Sequence, residues 1–380
     1  MIKLVQDTID QTELEKLSKW ICQKPQLTKG SLTSEFENTW SSWLGMPFSV
    51  FTNSGSSANL LMFDALIQGG RLKSKNIIVP AVSWVTTVAP IIQLGLNPVL
   101  CDADETNLGL NLEHFEELLK NSDIGAVIIV HVLGVPNHMD EIMYLCKKYN
   151  TFLLEDSCEA VGSTYKGKMV GTFGGMSSFS FYFGHHMSTI EGGMISCNDE
   201  DLYSIVLSIR SHGWARDLPP SHRISLEKEF NIDSFTSLYT FYYPGYNFRS
   251  SDLNAFLGKL QLEKMSQVIS RRNENYNYYK SKLEKSFWTQ ENTDAYISNF
   301  AFGLIDERRS TIVKRLQEGG VETRPLICGS IGLQPFWIKI FGPTHFKVAD
   351  RVHKYGFYVP NNHQITKTEM DSVIDILLSV

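Results

Sequence analysis

Short apolar runs alternate with helix-like segments over much of the first half of the chain, and this alternation is the feature that most restricts the fold. The candidate strands are 76–80, 98–101, 126–130 and 152–155, and the candidate helices are 86–94, 112–120 and 139–149. Such alternation predicts a parallel sheet with helices on both faces. Ligands bind to these sheets at the carboxyl ends of the strands. Four side chains that follow candidate strands are therefore expected near that edge: Trp84, His131, Asp156 and His185.

The segment 179–193, with the sequence FSFYFGHHMSTIEGG, is the most unusual stretch of the chain. Its aromatic and small residues predict a buried strand over 178–183, and its two final glycines predict a turn before a second strand at 194–196. The adjacent His185 and His186 raise the alternative of a metal site. Neighbouring side chains of an extended segment point to opposite sides, which disfavours chelation of one ion by both rings. We therefore predict no metal.

The remaining elements suggest a second, smaller domain. We predict helices at 11–22, 34–43, 58–66, 202–212, 253–264, 268–283, 309–318 and 367–378, short strands at 296–303 and 321–326, and a loop over 214–243. Ser34, with Glu37 three residues later, has the pattern of a capping box. The predicted fold is an α/β domain with a mostly parallel sheet over 1–250, followed by an α+β domain over 251–380.

A turn of small residues, 51–60 with the sequence FTNSGSSANL, runs directly into the helix predicted at 58–66. Free N–H groups at a helix start bind anions, and small residues allow a phosphate to approach. An ordinary serine N-cap explains the same residues, and the pattern alone leaves both explanations open.

Charge and cysteine usage exclude several classes of protein. The net charge of −6 disfavours nucleic acid and acidic membranes as partners. The six cysteines form no C-x-C or C-x-x-C pair, which predicts neither a disulfide framework nor a zinc site. The first residues lack an apolar signal region, and no apolar run reaches the length of about 18 residues that a membrane span needs. We expect a cytoplasmic protein.

The order of the motifs resembles the DegT/DnrJ/EryC1/StrS sugar aminotransferase family, which has the fold type I, aspartate aminotransferase-like architecture and uses pyridoxal phosphate. The matching stretches are 28–37, 53–60, 80–84, 155–156, 178–193, 245–258, 320–326 and the closing helix. The resemblance implies that the first domain binds the cofactor.

The resemblance also implies a role for individual residues. Those implied to hold the cofactor phosphate are Ser56, Ser57, Ser180 and, from the partner subunit of a homodimer with shared active sites, Asn247. Trp84 would stack on the pyridine ring, Asp156 would pair with the ring nitrogen, and Glu159 would lie beside the ring hydroxyl. A carboxylate at the ring nitrogen keeps that nitrogen protonated, so the ring can withdraw electrons.

One departure from the family decides the expected chemistry. The aminotransferases carry a cofactor-binding lysine eight residues before the second glycine, and this chain has His185 there. No lysine stands between Lys168 and Lys228. Histidine cannot form the internal Schiff base, but it can move protons near neutral pH.

The same replacement occurs in the 3-dehydratases of deoxysugar pathways. The resemblance therefore implies a lyase that uses pyridoxal or pyridoxamine phosphate, with His185 as its catalytic residue. It would remove the C3 hydroxyl of a nucleotide-linked, GDP-favoured 4-keto-6-deoxy sugar, with L-glutamate as amine donor, for dideoxysugar and surface polysaccharide synthesis. The absence of paired cysteines favours the branch without an iron–sulfur cluster. A C4 aminotransferase and a catalytically silent cofactor-binding regulator remain alternatives.

Overall fold

A mostly parallel sheet of seven strands forms the centre of the computed structural model, which describes residues 1–380. The strands of the chain are β1 (Phe48–Thr52), β2 (Asn76–Pro80), β3 (Asn97–Cys101), β4 (Ala126–Val130), β5 (Phe152–Asp156), β6 (Thr164–Tyr165), β7 (Lys168–Met169), β8 (Met176–Ser180), β9 (Gly193–Cys197), β10 (Trp288–Thr289), β11 (Ala295–Tyr296), β12 (Phe302–Ile305), β13 (Arg324–Pro325) and β14 (Gly356–Val359). The central order is β1-β9-β8-β5-β4-β2-β3, and only β9 runs antiparallel to its neighbours.

Helices cover both faces of this sheet. They are α1 (Gln11–Ile21), α2 (Ser31–Leu44), α3 (Gly55–Gln68), α4 (Val85–Gln93), α5 (Leu112–Asn121), α6 (Met139–Lys148), α7 (Glu200–Arg210), α8 (Pro220–Glu229), α9 (Asp252–Glu263), α10 (Met265–Leu283), α11 (Arg309–Glu318), α12 (Pro335–Phe341), α13 (Lys347–Tyr355) and α14 (Lys367–Leu378). None of them has both the length and the apolar composition required to cross a membrane.

The strands direct alternate residues to opposite faces, as their period of two requires. Ile77 and Val79 of β2 pack in the core that contains α3 and α7, whereas Ile78 packs in the core that contains α5 and α6. In β4, Ile128 packs in the first of these cores and Ile129 packs in the second. The parallel sheet with two covered faces confirms the fold class predicted from the alternation.

A smaller antiparallel sheet, β10-β12-β14-β13, lies in the last hundred residues. It packs with α10, α11 and α14 in a separate apolar core. This agrees with an α+β character for the C-terminal region, and the division at residues 250 and 251 stays a prediction. The strand predicted over 296–303 is wrong in its centre, because β11 ends at Tyr296 and β12 begins at Phe302. The strand predicted over 321–326 is reduced to Arg324–Pro325.

The loop predicted over 214–243 is partly helical, so that prediction is wrong. The segment contains α8 and a short 3₁₀-helix, Thr236–Tyr239. Pro220 lies in the first turn of α8, where its missing N–H costs no hydrogen bond. No residue of α8 is buried, so the helix lacks the apolar periodicity from which it could have been recognised.

The capping box predicted at Ser34 and Glu37 is also wrong. Helix α2 already begins at Ser31, and the Asp252 carboxylate accepts hydrogen bonds from N–H groups at its start. Glu37 is buried instead, and its Oε1 accepts hydrogen bonds from the Phe51 N–H at 2.8 Å and from Arg210 Nη1 at 2.5 Å. The Arg210 side chain is fully buried. This ion pair ties α2 to the first strand of the sheet and to α7.

Removal of one member of this buried pair should destabilise the protein strongly. Glu37→Leu leaves the Arg210 guanidinium without its nearest counter-charge, so we expect the free energy of unfolding to fall by about 3–5 kcal/mol. The double variant Glu37→Leu/Arg210→Met should recover most of that loss. The exposed Glu35 offers a control on the same helix, since Glu35→Leu should cost at most about 1 kcal/mol. Urea unfolding of the four proteins measures these differences, and equal losses for Glu37→Leu and Glu35→Leu would contradict the assignment.

Candidate active site

The carboxyl ends of the parallel strands gather most of the predicted site residues at one edge of the sheet. Asp156 and Ser180 are the last residues of β5 and β8, and Trp84 follows β2. His131 follows β4 but is fully buried, with Nε2 3.2 Å from a Glu155 carboxylate oxygen. It therefore belongs to the interior of the sheet rather than to the open edge.

The start of α3 has the features of an anion site. Ser54 is the N-cap, and its hydroxyl accepts a hydrogen bond from the Ser57 N–H at 3.0 Å. The N–H groups of Gly55 and Ser56 have no acceptor within the chain. The N-cap explanation thus holds for Ser54, while two N–H groups at the positive end of the helix stay free for a ligand.

Glycine is required at position 55 by close packing. A Cβ there would lie 2.7 Å from the Ser180 Cβ and 2.9 Å from the Cys158 Sγ, which is too close for either contact. The hydroxyl of Ser56 donates to Thr86 Oγ1 at 3.0 Å. The three serines expected to hold a phosphate within one chain, Ser56, Ser57 and Ser180, therefore lie around this helix start.

Asp156 is held by a set of polar residues that the sequence did not reveal. Its Oδ2 accepts hydrogen bonds from Asn59 Nδ2 at 2.9 Å and from Thr87 Oγ1 at 2.8 Å. Its Oδ1 accepts the Cys158 N–H at 3.2 Å. The Ser178 hydroxyl donates to Asn59 Oδ1 at 2.6 Å and so fixes the orientation of that amide. Asn59, between apolar residues in the first half of α3, was the available sequence signal.

Trp84 presents an aromatic surface at the same edge. The residue occupies the N-cap position of α4, and 54% of its surface is exposed although it is the largest side chain type in proteins. An exposed indole beside a polar site is suited to stack on a planar ligand.

His185 lies in a bend of the irregular segment that follows β8. Strand β8 ends at Ser180, and the residues between it and β9 form turns and bends, so the strand prediction over 178–183 is wrong for its last three residues. Nδ1 of His185 donates to the Cys158 carbonyl oxygen at 2.5 Å. A carbonyl can only accept, so Nδ1 carries the proton and Nε2 keeps a free lone pair. Burial lowers the pKa of His185, which favours the neutral ring.

His186 binds a different part of the chain. It is fully buried, and its Nε2 donates to the Ser298 carbonyl oxygen at 2.9 Å. Burial lowers the pKa of His186 well below its ordinary value. The two adjacent imidazoles thus hydrogen-bond to separate carbonyl groups, and the expected divergence of the side chains occurs within a turn rather than in extended chain.

Glu159 lies near Asp156 and is partly buried. Its Oε2 accepts the Leu133 N–H at 2.8 Å. Burial, together with the negative charge of Asp156, raises the pKa of Glu159 to about 8. This carboxyl group therefore holds a proton at neutral pH and can donate a hydrogen bond.

Asn247 lies on a segment that pairs with the end of β1, because the Asn53 N–H donates to the Phe248 carbonyl oxygen at 2.9 Å. It lines a polar depression of about 290 Å³ beside the end of β1. The lining consists of polar and charged residues only: Thr28, Asn53, Glu191, Asn247, Arg249, Ser250, Ser251 and Asn254. Its role toward a partner subunit stays a prediction.

The residues at the strand ends fit pyridoxal phosphate. Two free N–H groups and nearby hydroxyls at a helix start suit its phosphate, and a carboxylate held by three donors suits its ring nitrogen. The fold and this arrangement place the protein in the fold type I class of pyridoxal phosphate-dependent proteins. A sequence profile of the DegT/DnrJ/EryC1/StrS aminotransferase family matches residues 7–378, and the chain belongs to this family.

Relatives of known activity match almost the whole chain. The GDP-4-keto-6-deoxy-D-mannose 3-dehydratase of Yersinia pseudotuberculosis is 35% identical over 378 residues, which span 96% of this chain and 95% of that protein. A solved GDP-4-keto-6-deoxymannose-3-dehydratase, a histidine-to-asparagine variant with bound GDP-perosamine, is 32% identical with a TM-score of 0.91, covering 99% of this chain and 100% of that one. A structure of that dehydratase with a trapped PLP–glutamate geminal diamine has the same identity, TM-score and coverage.

The pKa of Glu159 predicts a pH dependence of stability. The folded protein keeps a proton on this carboxyl between its ordinary pKa of 4.5 and about 8, whereas the unfolded chain loses it. Glu159 therefore stabilises the fold less as the pH rises through this window. Glu159→Gln stays neutral, so its free energy of unfolding should rise relative to wild type from pH about 5 to about 8. Urea unfolding of cofactor-free protein measures this, with the exposed Glu117→Gln as control. A constant difference across the window would contradict the assignment.

Proposed function

We propose that this protein is a pyridoxamine phosphate-dependent lyase that removes the C3 hydroxyl of a GDP-linked 4-keto-6-deoxy sugar, with L-glutamate as amine donor. Support comes from near full-length similarity to proteins named GDP-4-keto-6-deoxymannose 3-dehydratase. The glutamate adduct in one of those proteins supports the choice of donor. The proposal includes a cytoplasmic location.

The single observation that carries the proposal is the position and tautomer of His185. It stands where the family's aminotransferases carry their cofactor-binding lysine, and the Cys158 carbonyl fixes the proton on Nδ1. Nε2 is therefore a free base next to the residues that suit the cofactor. Burial of the ring lowers its pKa and keeps that base unprotonated.

The residues of this chain would divide the work as follows. Bound here, pyridoxamine phosphate supplies an amine that can react with the sugar C4 ketone and a ring that withdraws electrons. The Asp156 carboxylate, held by Asn59 and Thr87, would keep the ring nitrogen protonated. Protonated Glu159 would donate a hydrogen bond to the ring hydroxyl oxygen.

His185 would then act twice. Its Nε2 would accept a proton from the amine-bearing carbon of the bound cofactor, and the resulting imidazolium would give that proton to the departing C3 hydroxide, which leaves as water. With no lysine at this position, the chain cannot hold the cofactor through an internal covalent bond. The absence of this lysine favours release of the cofactor-derived amine as ammonia over its retention on the sugar.

Product mass tests the proposed function directly. The purified protein is incubated with pyridoxal phosphate, L-glutamate and GDP-4-keto-6-deoxymannose, and the sugar product is analysed by mass spectrometry. We expect loss of the C3 oxygen with the C4 ketone retained. Gain of an amine at C4 would instead identify an aminotransferase, and an unchanged substrate with bound cofactor would identify a regulator; either result would contradict the proposal.

Substitution of the two histidines should have unequal effects. His185→Asn keeps a donor near the Cys158 carbonyl but has no basic nitrogen, so dehydration should slow by about 10²–10⁴-fold. His186→Gln keeps a donor toward the Ser298 carbonyl and should lose much less. Dehydration rates with saturating cofactor measure both. If His186→Gln is inactive while His185→Asn works at the wild-type rate, the base has been assigned to the wrong ring.

The proposal includes a homodimer in which Asn247 of one subunit reaches the cofactor phosphate of the other. Its position in a polar depression open to solvent is compatible with such a contact. Two variants, His185→Asn and Asn247→Ala, should each be impaired, and mixed dimers should regain part of the activity because one of their two sites is intact. Activity of the mixture after subunit exchange measures this. No recovery in verified mixed dimers would exclude shared sites.

A further inference from the structure

Arg272 of α10 is a buried cation that the mechanism above does not use. Only 2% of its surface is exposed. Burial lowers the pKa of Arg272 to about 10, and no acidic neighbour offsets this effect. Burial of a charge without a counter-charge is costly, so the side chain must make other favourable interactions in the folded protein.

The guanidinium binds main-chain carbonyl groups instead of a carboxylate. Its Nη1 donates to the carbonyl oxygens of Phe300 at 2.8 Å, Asn361 at 2.8 Å and Asn299 at 3.3 Å. The Asn361 amide also donates to the Asn299 carbonyl oxygen at 3.1 Å. These contacts hold the segment 298–300, which lies between β11 and β12, in its irregular conformation.

The other side of this segment contacts both histidines. The ring centroid of Phe300 lies 5.2 Å from that of His185 and 6.5 Å from that of His186. The Ser298 carbonyl oxygen accepts the hydrogen bond from His186. The segment therefore joins Arg272 to the turn that carries the catalytic imidazole.

We propose that Arg272 is a positioning residue, which holds the segment 298–300 against the histidine turn and so restricts the imidazole of His185 to one orientation. The inference rests on the proposed role of His185 as base. A ring that could rotate would lose the hydrogen bond from Nδ1 to the Cys158 carbonyl, and Nε2 would no longer be fixed as the free base.

The positive charge of Arg272 also favours the neutral His185 ring, in which Nε2 is the free base. Burial is the largest cause of the lowered pKa of His185, and the positive charge of Arg272 lowers that pKa further. The hydrogen bond to the Cys158 carbonyl and the negative charge of Asp156 act in the opposite direction and raise it. The His185 ring also lies near two other titratable side chains, His186 and Tyr182, the latter 6.3 Å away between ring centroids, and it binds the carbonyl of Cys158. Burial favours the neutral forms of His186 and of the Cys158 thiol. Loss of the Arg272 charge therefore leaves Asp156 as the main charged neighbour.

The state of the His185 ring can be measured without catalysis. Cofactor-free protein is labelled with ¹³C and ¹⁵N in histidine only, and His185→Asn identifies the signals of this ring. The chemical shifts of the two ring nitrogens report the tautomer and the titration. We expect one tautomer in wild type. In Arg272→Met a second tautomer should appear, and the pKa of His185 should rise by about one pH unit, as expected on loss of a nearby cation.

Arg271→Met is the matched control, because Arg271 is the next residue of the same helix but its side chain is 40% exposed. It should leave tautomer and titration unchanged. If Arg272→Met does not fold, Arg272→Lys and Asn299→Ala replace it, since each loosens the segment by a smaller change; both should show the second tautomer. The proposal would be overturned if a folded Arg272→Met variant kept the wild-type tautomer and the wild-type titration of His185. The same result in both Arg272→Lys and Asn299→Ala would also overturn it. Failure of wild type to dehydrate sugar would not alter this measurement, so the two proposals fail separately.

Discussion

The hydrogen bond from His185 Nδ1 to the Cys158 carbonyl oxygen is the interaction on which the site depends. It joins the turn after β8 to the residues that follow β5, and it decides which ring nitrogen is free. The same backbone stretch fixes Asp156, because the Cys158 N–H donates to its carboxylate. One residue thus orients both the base and the group expected at the cofactor nitrogen, which explains why the two elements must lie side by side in the sheet.

The polar groups around this bond are costly to bury. Glu159 holds a proton near neutral pH, His186 is neutral, and Arg272 has no counter-charge. The apolar cores on the two faces of the sheet supply the stability that tolerates them. Several groups with shifted pKa values lie together at the strand ends. Such clustering is typical of catalytic sites, where burial and neighbouring charges set the pKa of each reacting group.

The sequence predicted the parallel sheet well because buried parallel strands are short apolar runs separated by amphipathic helices. It also located Asp156, Trp84 and His185 near strand ends. It missed Asn59 and Thr87, because a helix pattern does not show which polar side chain faces the site. It mistook the centre of 296–303 for strand, because that part of the chain is irregular and is held by Arg272. It overlooked α8, because that helix is solvent-exposed. The conformation of the first segment depends on tertiary contacts, and the second segment has no buried apolar face. A local sequence pattern shows neither property.

The central claim is that histidine at position 185 keeps the cofactor unattached and leaves a free base in place of a lysine amine. The most direct measurement is intact mass after incubation with pyridoxal phosphate and reduction by borohydride. The account predicts no stoichiometric, site-specific adduct on the native chain, and one reduced cofactor linked to residue 185 in His185→Lys. A native chain that gains the mass of one reduced cofactor at a specific active-site lysine would contradict the account.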